Sequence, residues 1–292
     1  MTEALFRSEV LTKALEQAIQ GKPLPLYGEL CKLSWLPGQG PANLPLAQTF
    51  GEVCASHGQR ADRLIEQMAR LDVDEAPGAT ELEYLPVCGV FAAGVRAGRD
   101  PRARAKMLGI LHDCAEDMRF RVRDAVPTAL AKVGAKIGDA LIAEVDPWME
   151  GYFHAAAVLR ALAMQEWLTA THDAAAVAEL LAKAFALLDN APRSAARYPG
   201  HKALVEAMRD TPEPVAVRFG APVFDTLASF AKSKDPHLRE LVVAATSKKK
   251  LEARYSEDVK RVLLAFSSTA KPVRDPRSLP GPTRRRGGGH RR

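Results

Sequence analysis

The side chains able to do chemistry are few and scattered. His112, Asp113 and Cys114 bring an imidazole, a carboxylate and a thiol into one tripeptide, the residue types of a nucleophilic centre. On a helix, however, consecutive residues point about 100° apart and cannot converge on one substrate atom. Ser229 with Lys232 and Ser268 with Lys271 fit S-x-x-K, a pattern so loose that its recurrence in the chain marks coincidence. Cys31, Cys54, Cys88 and Cys114 lie 23, 34 and 26 residues apart with no C-x-x-C pair, which suits reduced, buried thiols better than disulfides or a zinc site. The chain has no G-x-x-x-x-G-K-[ST], G-x-G-x-x-G, G-x-S-x-G or H-E-x-x-H. The usual signals for phosphate cradling, dinucleotide binding, a nucleophile elbow and zinc proteolysis are therefore missing. No catalytic residue, metal ligand or cofactor is expected.

Charge is the next possible source of function. The 292 residues carry a formal +6, but the last 22, KPVRDPRSLPGPTRRRGGGHRR, hold eight basic residues and one acid. That segment alone is +7, so residues 1–270 sum to −1 and any global pull on a polyanion belongs to the tail. With four prolines, four glycines and almost no apolar side chains, the tail is expected to be disordered. Arg284, Arg285, Arg286, Arg291 and Arg292 are its candidate polyanion contacts, set against the reading of a solvated end without specific role. Within the body, the stretch DMRFRVRDAVPTAL from Asp117 places Arg119 and Arg121 off the apolar positions. With Arg102, Arg104 and Lys106 they can form a local basic patch, or a solvated face interleaved with Glu116, Asp117 and Asp124. The loop DVDEAPGATELEYLP carries Asp72, Asp74, Glu75, Glu81 and Glu83 without the glycine and ordered oxygens of a calcium loop. It reads as a solvated linker, complementary in charge to the tail.

The elements that must position these groups are helical. Val122, Ala125, Val126, Ala129, Leu130 and Val133 recur at offsets 0, 3, 4, 7, 8 and 11, one stripe of an amphipathic helix. Equivalent stripes run through Leu11–Ile19, Val177–Leu188, Leu238–Ala245 and Val259–Phe266, and no segment alternates long enough to demand a sheet. Asp100-Pro101, Asp146-Pro147 and Asp235-Pro236 each offer a capping carboxylate before a proline at the first helical position. Their spacings of 46 and 89 residues, the second divided by the turn-rich DNAPRS from Asp189, give a period near 45.

DMRFRVRDAVPTAL resembles the second-helix signature of HEAT-like repeats, with Asp117, Val122, Arg123, Ala125, Ala129 and Leu130 matching position by position. DPHLRELVVAAT from Asp235 is a shortened version, and DPRARAKMLGIL and DPWMEGYFHAAAVLRAL match in outline. The resemblance implies a right-handed superhelix of antiparallel helix pairs, five or six here, and a surface for interaction more often than an active site. It also implies structural roles for Asp117 as a cap and Arg123 as a tie to a neighbouring repeat. A family of DNA alkylation-repair glycosylases has HEAT-like architecture with a cationic groove, tryptophans and an Asp. Asp146, Trp148 and Trp167 are the matching residue types, by architecture and not by motif.

The expected organisation is an all-α, HEAT-like right-handed α-solenoid of antiparallel helix pairs. Residues 1–45 form an irregular helical cap rich in proline, 46–270 the repeats, and 271–292 a disordered basic tail. Acids at Glu3, Glu9 and Glu16 argue against a secretory signal, and no run approaches the roughly 18 apolar residues of a membrane span, so a cytoplasmic protein is expected. The function expected is a non-catalytic scaffold for a protein partner, with Arg119, Arg121, Lys132, Arg160, Trp167 and Arg239 as candidate contacts. The alternative is a nucleic-acid-binding HEAT-like protein, including a glycosylase-like activity.

Overall fold

A computed structural model describes residues 9–38 and 40–269, and the tail with its five candidate arginines lies outside them. All regular structure among the described residues is helical. In chain order the α-helices are α1 Glu9–Ile19, α2 Leu24–Lys32, α3 Leu44–Ser56, α4 Asp62–Ala69, α5 Tyr84–Arg99, α6 Pro101–Ala115, α7 Phe120–Ile137, α8 Ala140–Val145 and α9 Tyr152–Leu162. They continue as α10 Gln165–Ala170, α11 Ala174–Asp189, α12 Pro199–Asp210, α13 Pro212–Phe219, α14 Ala221–Phe230, α15 Pro236–Thr246, α16 Lys249–Arg254 and α17 Ser256–Thr269. No described helix is long and apolar enough to cross a membrane.

The stripes bury as their spacing requires: all six apolar positions of α7 and all six of α11 are buried. Each large apolar side chain so buried contributes roughly 1.5–3 kcal/mol. Asp100 and Asp235 cap α6 and α15 by accepting from the amides of Arg102 and His237, each at 2.9 Å. Asp146 departs from expectation. The chain there turns into a 3₁₀ segment, Asp146–Glu150, and the carboxylate accepts instead from Lys183 Nζ at 2.5 Å.

Two features position everything else. Helix α5 is buried on all sides, from Tyr84 to Ala97, and packs against α3, α4, α6 and α7. Gly94 lets α7 approach, since a Cβ there would lie 2.8 Å from Ala129. The second feature is a set of polar contacts between distant segments, some near 45 residues apart and others at 29, 34, 37 and 52. Cys114 Sγ meets the Ala69 carbonyl 45 residues away, Arg160 meets Glu206 at 46, Arg218 meets the Thr171 carbonyl at 47, and Ser233 meets Asp189 at 44. Helices pack against partners further along the chain: α7 on α9, α9 on α12, α11 on α14, α12 on α15. One connected core runs from Leu11 to Val262, and the N-terminal segment shares it through Leu15, Leu26 and Leu30.

Candidate partner-binding groove

Arg119 and Arg121, read as free for a partner, both make internal contacts. Arg119 is 6% exposed. Its guanidinium donates to the carbonyls of Leu71, Asp72 and Ala76 at 2.7, 3.1 and 2.9 Å and forks onto both Asp117 oxygens. Burial is the largest single influence and works against its charge, but the bond and charge attraction of Asp117, with the nearby Glu83, together hold its pKa above the ordinary arginine value. Arg121 pairs with Glu83 at 2.9 Å, and the Glu83 side chain is only 1% exposed. Arg121 also donates to the Gly38 and Gly40 carbonyls. The basic stretch and the acidic loop are thus each other's partners. The reading of residues 72–83 as a solvated linker holds for exposed Asp72, Asp74 and Glu75 and fails for Glu83. The wider basic patch dissolves as well: Arg104 donates to the Ala97 carbonyl and Lys106 pairs with Glu66, whose pKa it lowers.

Other candidates are also structural. Trp167, expected to face a groove, is 0% exposed and donates Nε1–H to the Gly138 carbonyl at 3.2 Å. Gly138 ends α7 at φ +55°, a conformation that suits glycine. Arg239 is half-buried with its guanidinium 6.0 Å above the Phe266 ring, and Lys132 is half-buried on α7; neither lines a cleft described below. His112 stacks on His154 with ring centres 3.8 Å apart, both edge-on to buried Trp148, while Asp113 pairs with Arg70 and Cys114 is buried. Arg123 donates to the Asp117 and Met118 carbonyls and lies over the Phe153 ring, tying its own helix start to α9. Among the described residues, no three His, Cys, Asp or Glu side chains are placed to hold a metal.

Arg119 borders a separate cleft with Leu71, Asp72 and Asp117, whereas Arg160 lies in an open groove. Two clefts of about 290 and 550 Å³ adjoin there and share Asp124, Pro127, Arg160 and Glu206. Three helices build them: α7 contributes Phe120, Arg123, Asp124 and Pro127, α9 contributes Phe153, Ala156, Ala157 and Arg160, and α12 contributes Lys202, Ala203 and Glu206. Apolar positions form the floor, and Phe120 is 52% exposed at one end beside exposed Met118. Pro127 sits inside α7, where its missing amide hydrogen cannot bond the carbonyl four residues back. Arg160 bridges the helices, 3.8 Å from Asp124 and 3.3 Å from Glu206. A third cleft is lined by Gln165, Leu168, Glu213, Pro214, Val217, Arg218, Lys250 and Arg254, the first and third of which closely follow Met164 and Thr211 of the second cleft in sequence.

The arrangement offers shape, exposed aromatic surface and charges of both signs, without a nucleophile beside a base. Residue type singled out Arg160 in the sequence; Phe120, Phe153, Asp124 and Glu206 were missed. One signal for them existed, the recurrence of opposite charge at Asp124, Arg160 and Glu206, 36 and 46 residues apart. No family model matches the chain, and no curated protein matches it significantly.

Proposed function

We propose that the chain is a HEAT-like α-solenoid that acts as a non-catalytic scaffold, holding a partner polypeptide in the groove across α7, α9 and α12. The observation that carries this reading is the groove itself, an apolar floor rimmed by the Asp124–Arg160–Glu206 ladder. Cross-helix contacts at 44–47 residues, found among others at separations from 29 to 52, support the repeat architecture. The groups that suggested catalysis are otherwise engaged, which supports a scaffold over a glycosylase: Trp148 and Trp167 are buried and Asp146 is paired with Lys183.

The test places a photo-crosslinking amino acid at Lys202, exposed in the groove, and in a second variant at exposed Arg102, outside it. The scaffold reading expects polypeptide adducts in cells from position 202 and few from 102. Adducts mainly to nucleic acid, equal yields at both positions, or base release from alkylated duplex under single-turnover conditions would refute it.

A further inference from the structure

The groove and the third cleft, whose residues follow it along the chain from α9 to α10 and from α12 to α13, differ in chemistry. At the groove's α7 end stand exposed Phe120, half-buried Phe153 and exposed Pro199. Its middle is of mixed charge, with the exposed acids Asp124, Glu206 and Asp210 beside Arg123, Arg160 and exposed Lys202, and Lys248 3.7 Å from Asp210. The third cleft is basic: Arg218, Lys250 and Arg254 stand against one acid, Glu213, above apolar Leu168, Pro214 and Val217. Lys250 has a side chain 81% exposed and only a 3.8 Å approach to Glu213, and Arg218 spends one nitrogen on the Thr169 and Thr171 carbonyls.

We infer that the occupant is an extended polypeptide segment that seats an aromatic or large aliphatic side chain at Phe120 and Phe153 and, further along, an acidic cluster at Arg218, Lys250 and Arg254. This rests on the scaffold reading and names the chemistry of the partner. A nucleic-acid strand carries a negative charge at every nucleotide and would pass phosphates over a stretch where Asp124, Glu206 and Asp210 offset Arg123, Arg160 and Lys202 and leave no net attraction. A polypeptide can set neutral or basic residues there and confine its acids to the basic cleft. The eleven residues of α9 span about 16 Å at 1.5 Å each, which an extended chain covers in roughly five residues. The spacer between the two determinants is therefore about six to eight residues, since the third cleft lies beyond α9.

The test uses the full chain and a dye-labelled peptide of the form Leu-Phe, six Ser or Gly residues, then Glu-Glu-Glu, followed by fluorescence anisotropy. Lys250→Glu with Arg254→Glu should weaken binding at least about fivefold, Phe120→Ser should weaken it comparably, and exchanging the peptide's Glu for Lys should act like the double replacement. Both sites are exposed, and unchanged helical circular dichroism of the variants checks their folding. Absence of binding by the acidic peptide overturns the inference, as does binding that survives the double replacement, which assigns it to the basic tail. So does tighter binding of a labelled twelve-residue oligothymidine that the double replacement removes. Equal, Phe120-dependent binding of the Glu peptide and a Ser-substituted one defeats the acidic determinant while leaving the scaffold reading intact. That reading stands or falls on the position 202 crosslinks.

Discussion

Replacing Arg119 with alanine separates a structural arginine from a partner-binding one. The side chain holds five internal bonds: three to the carbonyls of Leu71, Asp72 and Ala76, and two to Asp117, whose own side chain is 14% exposed. Removing it leaves those carbonyls without this donor and a nearly buried carboxylate with only the backbone amide of residue 119, 2.8 Å from Asp117 Oδ1. Hydrogen bonds to a charged group are worth roughly 1.5–3 kcal/mol each, but bonds sharing one guanidinium are not additive. The better guide is the loss of one partner from a buried ion pair, about 3–5 kcal/mol. An expected loss near 4 kcal/mol corresponds to a fall in Tm of roughly 10 °C for a chain of this size. Urea unfolding followed by tryptophan fluorescence measures it, because Trp148 and Trp167 are buried. Arg119→Lys should recover at most about 1 kcal/mol, since an ammonium cannot span three carbonyls and a bidentate carboxylate. A loss below about 1 kcal/mol from Arg119→Ala, accompanied by weaker partner capture, would show that the guanidinium serves a ligand and not the fold.

Gly134→Ala should destabilise by about 2 kcal/mol or more despite better helix propensity, because the new Cβ would lie 2.1 Å from Trp167 Cγ; chemical denaturation reads the loss. Burial depresses the pKa values of His154 and His201, with neighbouring His112 adding to the effect at His154. The folded state then binds fewer protons than the unfolded state as pH falls below the ordinary histidine value near 6.5, so stability rises with pH through that window. Urea midpoints should fall from pH 7.5 to 5.5, and a His154→Gln, His201→Gln double variant should flatten that dependence. Burial pushes the Cys54 and Cys114 thiols up to about 12 and half-buried Cys31 to about 11, and Cys88 is fully buried. A thiol reagent at pH 8 should label Cys31 slowly and the other three only on unfolding, as quantified by mass spectrometry.

The sequence by itself determined the helical class, the buried stripes of α7 and α11, and the caps at Asp100 and Asp235. Each of these follows from residues within a few positions of one another, where helical geometry alone sets what meets what. It was nearly silent about α5, because a helix buried all round has no polar face and hence no stripe to find. Tertiary structure alone decided which charges were free. Arg119 finds its carbonyls 43–48 residues away and Arg121 finds Glu83 at 38, so the same spacing that looked like an open basic face became a closed internal tie. It also decided that Trp167 belongs to the core and Arg160 to the groove. The groove is the space left where segments 120–127, 153–164 and 199–211 meet, and no one of them contains it.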